Sequence, residues 1–349
     1  RIGPGHTARG ISMKHSRSEA KEWAAATYRG VCNVIMPSFT RDLRGLNEAA
    51  IRHDVRTNIA HGFWGALLVS ECGTTGEEYR RFMEIAVDEA AGRQHFLVHG
   101  AFDTVEDIVA MARAGEAIGM SGLLLGNPNS FYPRSKDELY AYLAGVAERT
   151  DLAVSLFVAP HMNAARLHTS GYPMDVILRA TDIENVVAVK YEVGRPGIAG
   201  DYQLWKMLRG RRVLFSDPLE AHSPLTVEMF GMQWMGTSNY EYWGPAVPQY
   251  FTLLQQGAFD QAMEIYWRIN PARQTRVAIQ ASFAGANFIH RYLWKYQGWL
   301  QGYNGGVLRQ PAMKLNDTQM RTVRDGLLRS GFEIPEESPA AFYDGRCPG

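Results

Sequence analysis

Short apolar runs alternate with longer amphipathic stretches along most of the chain. The runs occupy 30–37 (GVCNVIMP), 64–70 (WGALLVS), 95–100 (HFLVHG), 122–126 (GLLLG), 152–159 (LAVSLFVA), 186–191 (VVAVKY), 212–216 (RVLFS) and 233–238 (QWMGTS). Runs of this length, bounded by turn residues, suit strands buried on both faces. Between them, 46–59, 77–91, 104–118 and 136–148 carry helical spacing. In the third of these, Val105, Ile108, Met111 and Ala112 fall on one stripe, with Asp103 or Thr104 as its N-cap. Eight strand–helix alternations predict an α/β fold, either a closed parallel barrel or a doubly wound sheet, and the count favours the (β/α)8 TIM barrel. No G-x-G-x-x-G follows the first run, which weakens the dinucleotide-binding version of the open sheet.

After the eighth run the pattern turns helical, over 248–256, 259–269, 272–300 and 318–330, with 302–311 (GYNGGVLRQP) as a loop. The expected division is a leader and first helix over 1–29, the barrel over 30–244, and a C-terminal helical region over 245–349 packed on the barrel. Residues 1–12 show no periodicity and lack the apolar run of a secretory signal. Met13 is a plausible natural start, which makes 1–12 an expression remnant or an untypical leader.

Composition narrows the function classes. The chain has 349 residues, 46% of them hydrophobic, enough for a large core. Lys+Arg and Asp+Glu both number 36, a balance that argues against a nucleic-acid partner. No run of about 18 uncharged apolar residues exists, so no membrane span is expected. Cys32, Cys72 and Cys347 show no paired spacing and read as reduced thiols of a cytoplasmic protein.

In a parallel barrel, chemistry belongs at the C-terminal ends of the strands. Three places there carry candidate residues. Glu71-Cys72-Gly73-Thr74-Thr75-Gly76-Glu77 follows the second strand. Its threonine hydroxyls and the N-terminus of the next helix suit a small anion; the alternative is a capped turn with Thr75 as N-cap. Lys190 ends a run of valines, where burial would depress its pKa and make the amine nucleophilic, unless the side chain reaches water at the rim. Glu192, two residues on, faces the same side if the strand continues. His161 follows the fifth strand and is either an acid/base or a solvated loop residue.

These three places together resemble the dihydrodipicolinate synthase/N-acetylneuraminate lyase superfamily of class I aldolases, over roughly 30–332. The family's G-T/S-T-G-E element is similar to Gly73-Thr74-Thr75-Gly76-Glu77, its V-x-x-[IV]-K strand to Val186-Val187-Ala188-Val189-Lys190, and its late G-L-R-x-P stretch to Leu308-Arg309-Gln310-Pro311. The resemblance implies a Schiff base between Lys190 and pyruvate or a similar 2-oxo acid, with Gly73, Thr74 and Thr75 holding the carboxylate. It implies no metal or organic cofactor, a small-molecule substrate, and a homo-oligomer, dimer or tetramer.

Two departures matter. Phe157 stands where the family's Y-N-V-P carries its proton-relaying tyrosine, and a phenyl ring moves no proton. Met162 stands where the lysine-biosynthesis enzymes place an arginine for the second substrate. Both argue against true dihydrodipicolinate synthase activity. His161 and Tyr132 are the leading substitutes for the relay. Asn239-Tyr240-Glu241-Tyr242-Trp243 after the eighth run either lines an aromatic mouth for a bulky partner substrate or packs the C-terminal helices. The expected activity is therefore an aldolase or hydratase-aldolase. The alternatives are dehydration of a 2-oxo sugar acid, a catalytically retired barrel that binds a 2-oxo acid, and a metal-dependent aldolase. The last has only His95 and His99, four apart in one strand, as its hook.

Overall fold

A computed structural model describes residues 15–128, 131–193, 197–285, 290–347 and 349. The expected leader, 1–12, lies outside them. Each apolar run becomes a strand followed by a helix: β1 Gly30–Ile35 and α2 Glu48–Ala60, β2 Gly65–Leu68 and α3 Gly76–Ala90, β3 His95–Gly100 and α4 Val105–Ile118, β4 Gly122–Leu125 and α5 Lys136–Ala147, β5 Ala153–Val158 and α6 Met174–Ala180, β6 Val186–Tyr191 and α7 Ile198–Leu208, β7 Leu214–Ser216 and α8 Ser223–Phe230, β8 Trp234–Gly236 and α9 Ala246–Gln255. Helix α1 (Ala20–Thr27) precedes β1. Helices α10 (Phe259–Arg268), α11 (Asn270–Gly285), α12 (Arg291–Trp299), α13 (Asp317–Arg329) and α14 (Pro339–Asp344) follow the barrel. The stretch read as one helix over 272–300 is two helices, α11 and α12. The stretch after 244 opens with α9, which packs on β1 and α8 as the eighth barrel helix.

All strand pairs are parallel, in the order β7-β6-β5-β4-β3-β2-β1-β8. Between β7 and β8 a side chain carries the closure. The Ser216 hydroxyl donates to the Gly236 carbonyl at 3.2 Å and accepts from the Gly236 N–H at 3.1 Å. Strands β2, β4 and β6 are buried along their whole length, as expected where helices coat one face and the barrel core the other. Each fully buried aliphatic side chain there contributes about 1.5–3 kcal/mol. Tyr28, between α1 and β1, closes the N-terminal end of the barrel, its ring 4.7 Å from Trp64 and 5.0 Å from Trp234. The helices start where local chemistry predicts. Asn47, Thr75, Thr104 and Ser135 each accept a backbone N–H from three residues ahead. No described helix is long and apolar enough to cross a membrane.

Helix α12 lies against the turn after β8, and the seam between it and β1 holds a polar interior. A cavity of 10 Å³, lined in part by Asp54, Glu241 and Lys295, has room for about one water. Lys295 Nζ donates to the Pro37 carbonyl at 2.5 Å and to Ser38 Oγ at 3.0 Å. Glu241 is 2% exposed, and among the described residues neither carboxyl oxygen has a hydrogen-bond partner. Burial raises its pKa well above the usual carboxyl value, which favours the protonated form in the folded chain. The unfolded chain releases that proton above about pH 4.3, so Glu241 costs the fold stability as pH rises through that value. Glu241→Gln is expected to raise Tm relative to wild type, with a gap that widens as pH rises above the unfolded carboxyl value. A gap independent of pH would show an ionised Glu241 in the native state.

Candidate active site

Side chains alternate along a strand, so the inward face of each strand presents one residue in two to the barrel axis. On β6 this face carries Ala188 and Lys190, on β5 Ser155 and Phe157, and on β3 Leu97 and His99. Lys190, Phe157 and His99 are the last of these, and they meet at the C-terminal mouth.

Lys190 is 4% exposed, so the structure places the amine inside the barrel and not in water beyond the rim. Its Nζ lies 3.0 Å from Glu192 Oε1 and 3.8 Å from the centroid of the Phe157 ring. The Glu192 N–H donates to the Val158 carbonyl at 2.8 Å, which continues the β5–β6 ladder and holds Glu192 on the same face as Lys190. Desolvation lowers the Lys190 pKa, Glu192 opposes that shift, and the Arg291 guanidinium adds to it. The ring below supplies a cation–π contact to the ammonium form but no proton.

His161 is on a single 3-10 turn, Pro160–Met162, directly after β5. Its ring centroid lies 5.6 Å from that of Phe157, so both it and Lys190 address the same phenyl ring. Its imidazole pKa is lowered by desolvation and pulled back up by Glu192 and Glu71, while solvent still reaches the exposed part of the ring. Tyr132 is placed elsewhere. It is 61% exposed, with the Arg166 guanidinium 3.6 Å over its ring, and among the described residues no hydrogen bond, ion pair or ring contact joins it to Lys190. Tyr240 is fully buried and donates its hydroxyl to the Pro218 carbonyl at 2.7 Å, so its polar end is spent inside the fold. Its neighbours Tyr242 and Trp243 are likewise buried, which favours packing over a mouth lining for this aromatic stretch.

The threonine turn divides its labour. Thr75 is the N-cap of α3. Its Oγ1 accepts from the Glu78 N–H at 3.1 Å, and its own N–H donates to Glu78 Oε2 at 2.9 Å. The capped-turn reading therefore holds for both polar groups of Thr75. Thr74 Oγ1 donates to the Ser70 carbonyl at 3.3 Å. Gly73 has φ +79°, and a Cβ there would meet the Gln310 carbonyl at 2.5 Å and Arg309 Cβ at 2.6 Å. The close approach is functional packing: Arg309 donates to the Gly73 carbonyl at 3.1 Å and forks onto Glu78 at 2.6 and 2.9 Å. The two motifs, 235 positions apart at Thr74 and Arg309, thus form one rigid corner.

Three further groups complete the mouth: Glu71, which opens the candidate threonine stretch, His99, read from sequence only as a metal-site hook, and Arg291, which the sequence did not single out. His99 is 5% exposed; its Nδ1 faces the Ser70 N–H at 3.3 Å and Ser70 Oγ at 3.2 Å. Burial lowers its pKa to about 4, so it is neutral, and acceptance of the Ser70 N–H at Nδ1 assigns the ring proton to Nε2. Glu71 and Arg291 form a largely enclosed ion pair, their side chains 19% and 13% exposed. Burial pushes the Glu71 carboxyl up, but the Arg291 guanidinium outweighs it and holds the group down at about 2. The end of β3 could have been reached from strand alternation, which makes His99 the next inward position after Leu97. Arg291 could not, because it arrives from α12.

The His95–His99 pair does not form a metal site. His95 stacks on Trp64 at 4.6 Å, with Nδ1 2.9 Å from Ser121 Oγ, at the opposite end of β3 from His99. Among the described residues the grouping with cation-ligand geometry is Asp201, Asp217 and His222, whose ligand atoms lie within 4.8 Å of one another beyond β7. Both Asp217 oxygens are already engaged, by the Leu219 N–H at 2.8 Å and His222 Nδ1 at 2.6 Å. That grouping is better described as a carboxylate–imidazole pair with a second buried acid beside it.

Comparison with known proteins agrees with this geometry. The model of the dihydrodipicolinate synthetase family matches residues 27–327. The 4-hydroxy-tetrahydrodipicolinate synthase of Afipia carboxidovorans is 24% identical over 325 residues, 88% of this chain and 99% of that protein. The same-named protein of Methanopyrus kandleri is 27% identical over 173 residues, 47% of this chain, and that match spans 55% of its length. For several such relatives the matched stretch is about half of the relative. Among solved structures, N-acetylneuraminate lyase from Fusobacterium nucleatum superposes with a TM-score of 0.70 at 18% identity, over 87% of this chain and 99% of that one. Dihydrodipicolinate synthase from Aquifex aeolicus gives 0.71 at 18%, over 88% and 100%. At these identities the structures establish the shared barrel and helical tail, not a shared substrate.

Proposed function

Because the chain belongs to the dihydrodipicolinate synthetase family, we propose that it is a lyase in which Lys190 forms a Schiff base with a pyruvate-type 2-oxo acid. The observation that carries this reading is the buried Lys190 amine, paired at 3.0 Å with Glu192. Glu192 takes a proton from the ammonium and leaves the amine free to attack C2 of the ketone. The carbinolamine loses water, and the resulting iminium draws in the electron pair released at C3. That pair comes from a C3–H bond in the aldol direction or, in retro-aldol cleavage, from the C3–C4 bond, whose C4 side leaves as an aldehyde. The substrate carboxylate is assigned to Thr74 and the N-terminal N–H groups of α3, because Thr75 already serves as the cap.

Phe157 cannot relay the C3 proton, so we assign that step to His161, which leans over the same ring. With Met162 in the place of a carboxylate-binding arginine, the reading is an aldolase or hydratase-aldolase other than dihydrodipicolinate synthase. Exposed Tyr132 is left for a contact between subunits of a homo-oligomer.

Borohydride reduction in the presence of pyruvate tests the central step. One pyruvate-derived adduct is expected per chain, on the peptide that contains Lys190; its absence from wild type overturns the reading. The two chemical steps also separate. In deuterated water the enamine exchanges the methyl protons of pyruvate, which proton NMR follows without knowledge of the second substrate. His161→Gln is expected to keep the borohydride adduct and to slow that exchange by about 10²–10⁴-fold, the usual contribution of a positioned acid–base group. Exchange at the wild-type rate would remove His161 from the mechanism.

A further inference from the structure

We propose that Arg276, with the hydroxyls of Thr237 and Ser238, forms a second anion site that takes a distal carboxylate of the substrate, so that the natural substrate is a dicarboxylic 2-oxo acid. The position of the ketone in this proposal rests on the Schiff-base reading of Lys190; the anion site itself does not.

Helix α11 carries two buried arginines three residues apart, and their surroundings differ. Arg273 has a full carboxylate partner: Nε lies 2.5 Å from Glu220 Oε1 and Nη2 2.9 Å from Oε2. Arg276 has none. It is 9% exposed, and its acceptors are neutral: Asn239 Oδ1 at 3.1 Å from Nε and 2.5 Å from Nη2, and Ser238 Oγ at 2.9 Å from Nη2. Among the described residues no ion pair reaches it, and Nη1 donates to nothing. A guanidinium removed from water without a counter-charge is costly, and natural proteins supply one from the fold or from a ligand.

The fold does not supply it. Of the carboxylates that act on Arg276, Glu220 is forked onto Arg273 and Glu192 is bonded to Lys190. Glu241 makes no hydrogen bond to Arg276 among the described residues. The residues beside Arg276 offer donors instead. Thr237 is 2% exposed, and its Oγ1 has no partner among the described residues. Ser238 Oγ accepts from Arg276 and keeps its own O–H to give. Both lie at the end of β8, two strands around the barrel from Lys190 on β6 and two from the threonine turn after β2. The N–H groups of Nη1 and two hydroxyls, with nothing among the described residues to accept from them, match a carboxylate better than any neutral group. Arg276 also faces the Trp243 ring at 5.3 Å, which fixes the plane of the fork.

The test uses two pairs of probes on the full chain. Glutarate and butyrate report the anion site without any covalent step, by calorimetric titration. Borohydride trapping of 2-oxoadipate against 2-oxohexanoate, each relative to pyruvate, reports it beside Lys190. Wild type is expected to favour the dicarboxylate of each pair by at least about tenfold, the value of one charge-assisted hydrogen-bonded contact. Arg276→Gln should bring both ratios close to one, and Arg276→Lys should retain part of them. Thr237→Val, which leaves every charge in place, should lower them several-fold and serves if the arginine variants fail to fold. Failure to trap pyruvate on wild type would sink the Schiff-base reading, yet glutarate binding lost in Arg276→Gln would still support this site. No preference for glutarate in wild type, or one that survives Arg276→Gln, overturns the proposal whatever Lys190 does.

Discussion

Lys190→Met is expected to abolish the borohydride adduct with pyruvate and to slow methyl-proton exchange by at least about 10⁴-fold, because removal of the nucleophile from a covalent mechanism leaves only binding and positioning. Methionine keeps the unbranched length of the side chain and its contact with Phe157, so the fold should survive. Stability gives a second, independent readout. Desolvation lowers the Lys190 pKa in the folded chain. The unfolded chain therefore binds this proton more readily, and stability rises with pH between the folded and unfolded values. Below the unfolded value near pH 10.4 the lysine is a net cost to the fold, greatest at neutral pH. Lys190→Met should accordingly melt at or above the wild-type temperature at pH 7, with the advantage shrinking by pH 10. A variant that melts well below wild type at pH 7 would mean that the Glu192 pair outweighs desolvation. Residual exchange above about 1% of wild type would mean that another amine carries the electron pair.

Much of this site could be read before any coordinates, and the reasons differ residue by residue. Strand β6 was legible end to end because a run of valines buried on both faces tolerates a lysine only where its charge has a use or a partner. The barrel followed from eight such runs because parallel strands leave a near-continuous apolar signature. The threonine turn was legible as a motif but ambiguous in role, since a capping threonine and an anion-binding threonine share one sequence pattern; Thr75 is the cap, and Thr74 is the one proposed above for the substrate carboxylate. The acid–base machinery was the hardest part. Tyr132 and Tyr240 were drawn in by proximity to strand ends, yet one ring is exposed beneath Arg166 and the other is spent on the Pro218 carbonyl. The groups that do reach the mouth from outside the barrel, Arg291 on α12 and Arg276 on α11, come from a helical tail whose docking no local pattern encodes. Their position depends on long-range contacts such as Lys295 with Pro37 and Arg309 with Glu78.

Arg291→Met should be the most destabilising single change at this mouth at neutral pH, by about 3–5 kcal/mol, because it strands the Glu71 carboxylate in an enclosed site. The direction with pH follows from which way Glu71 is pushed. In wild type the guanidinium holds its pKa down at about 2, below the unfolded value near 4.3. The pair thus contributes stability that is fully present above the unfolded value and is lost as pH falls towards 2. Without Arg291, burial, the largest cause, pushes the carboxyl up against only the weaker pull of His99 and His161, so the variant loses stability as pH rises through that range. The two profiles diverge with pH. The gap between wild type and Arg291→Met, read by urea denaturation, should be large at pH 7 and much reduced at pH 3.5. Glu71→Gln placed in the same chain should recover most of the loss at pH 7, since a neutral amide leaves no buried charge to pair. A gap of equal size at both pH values would show that Arg291 acts through its packing on Trp294, whose ring lies 4.2 Å beneath the guanidinium, and not through Glu71.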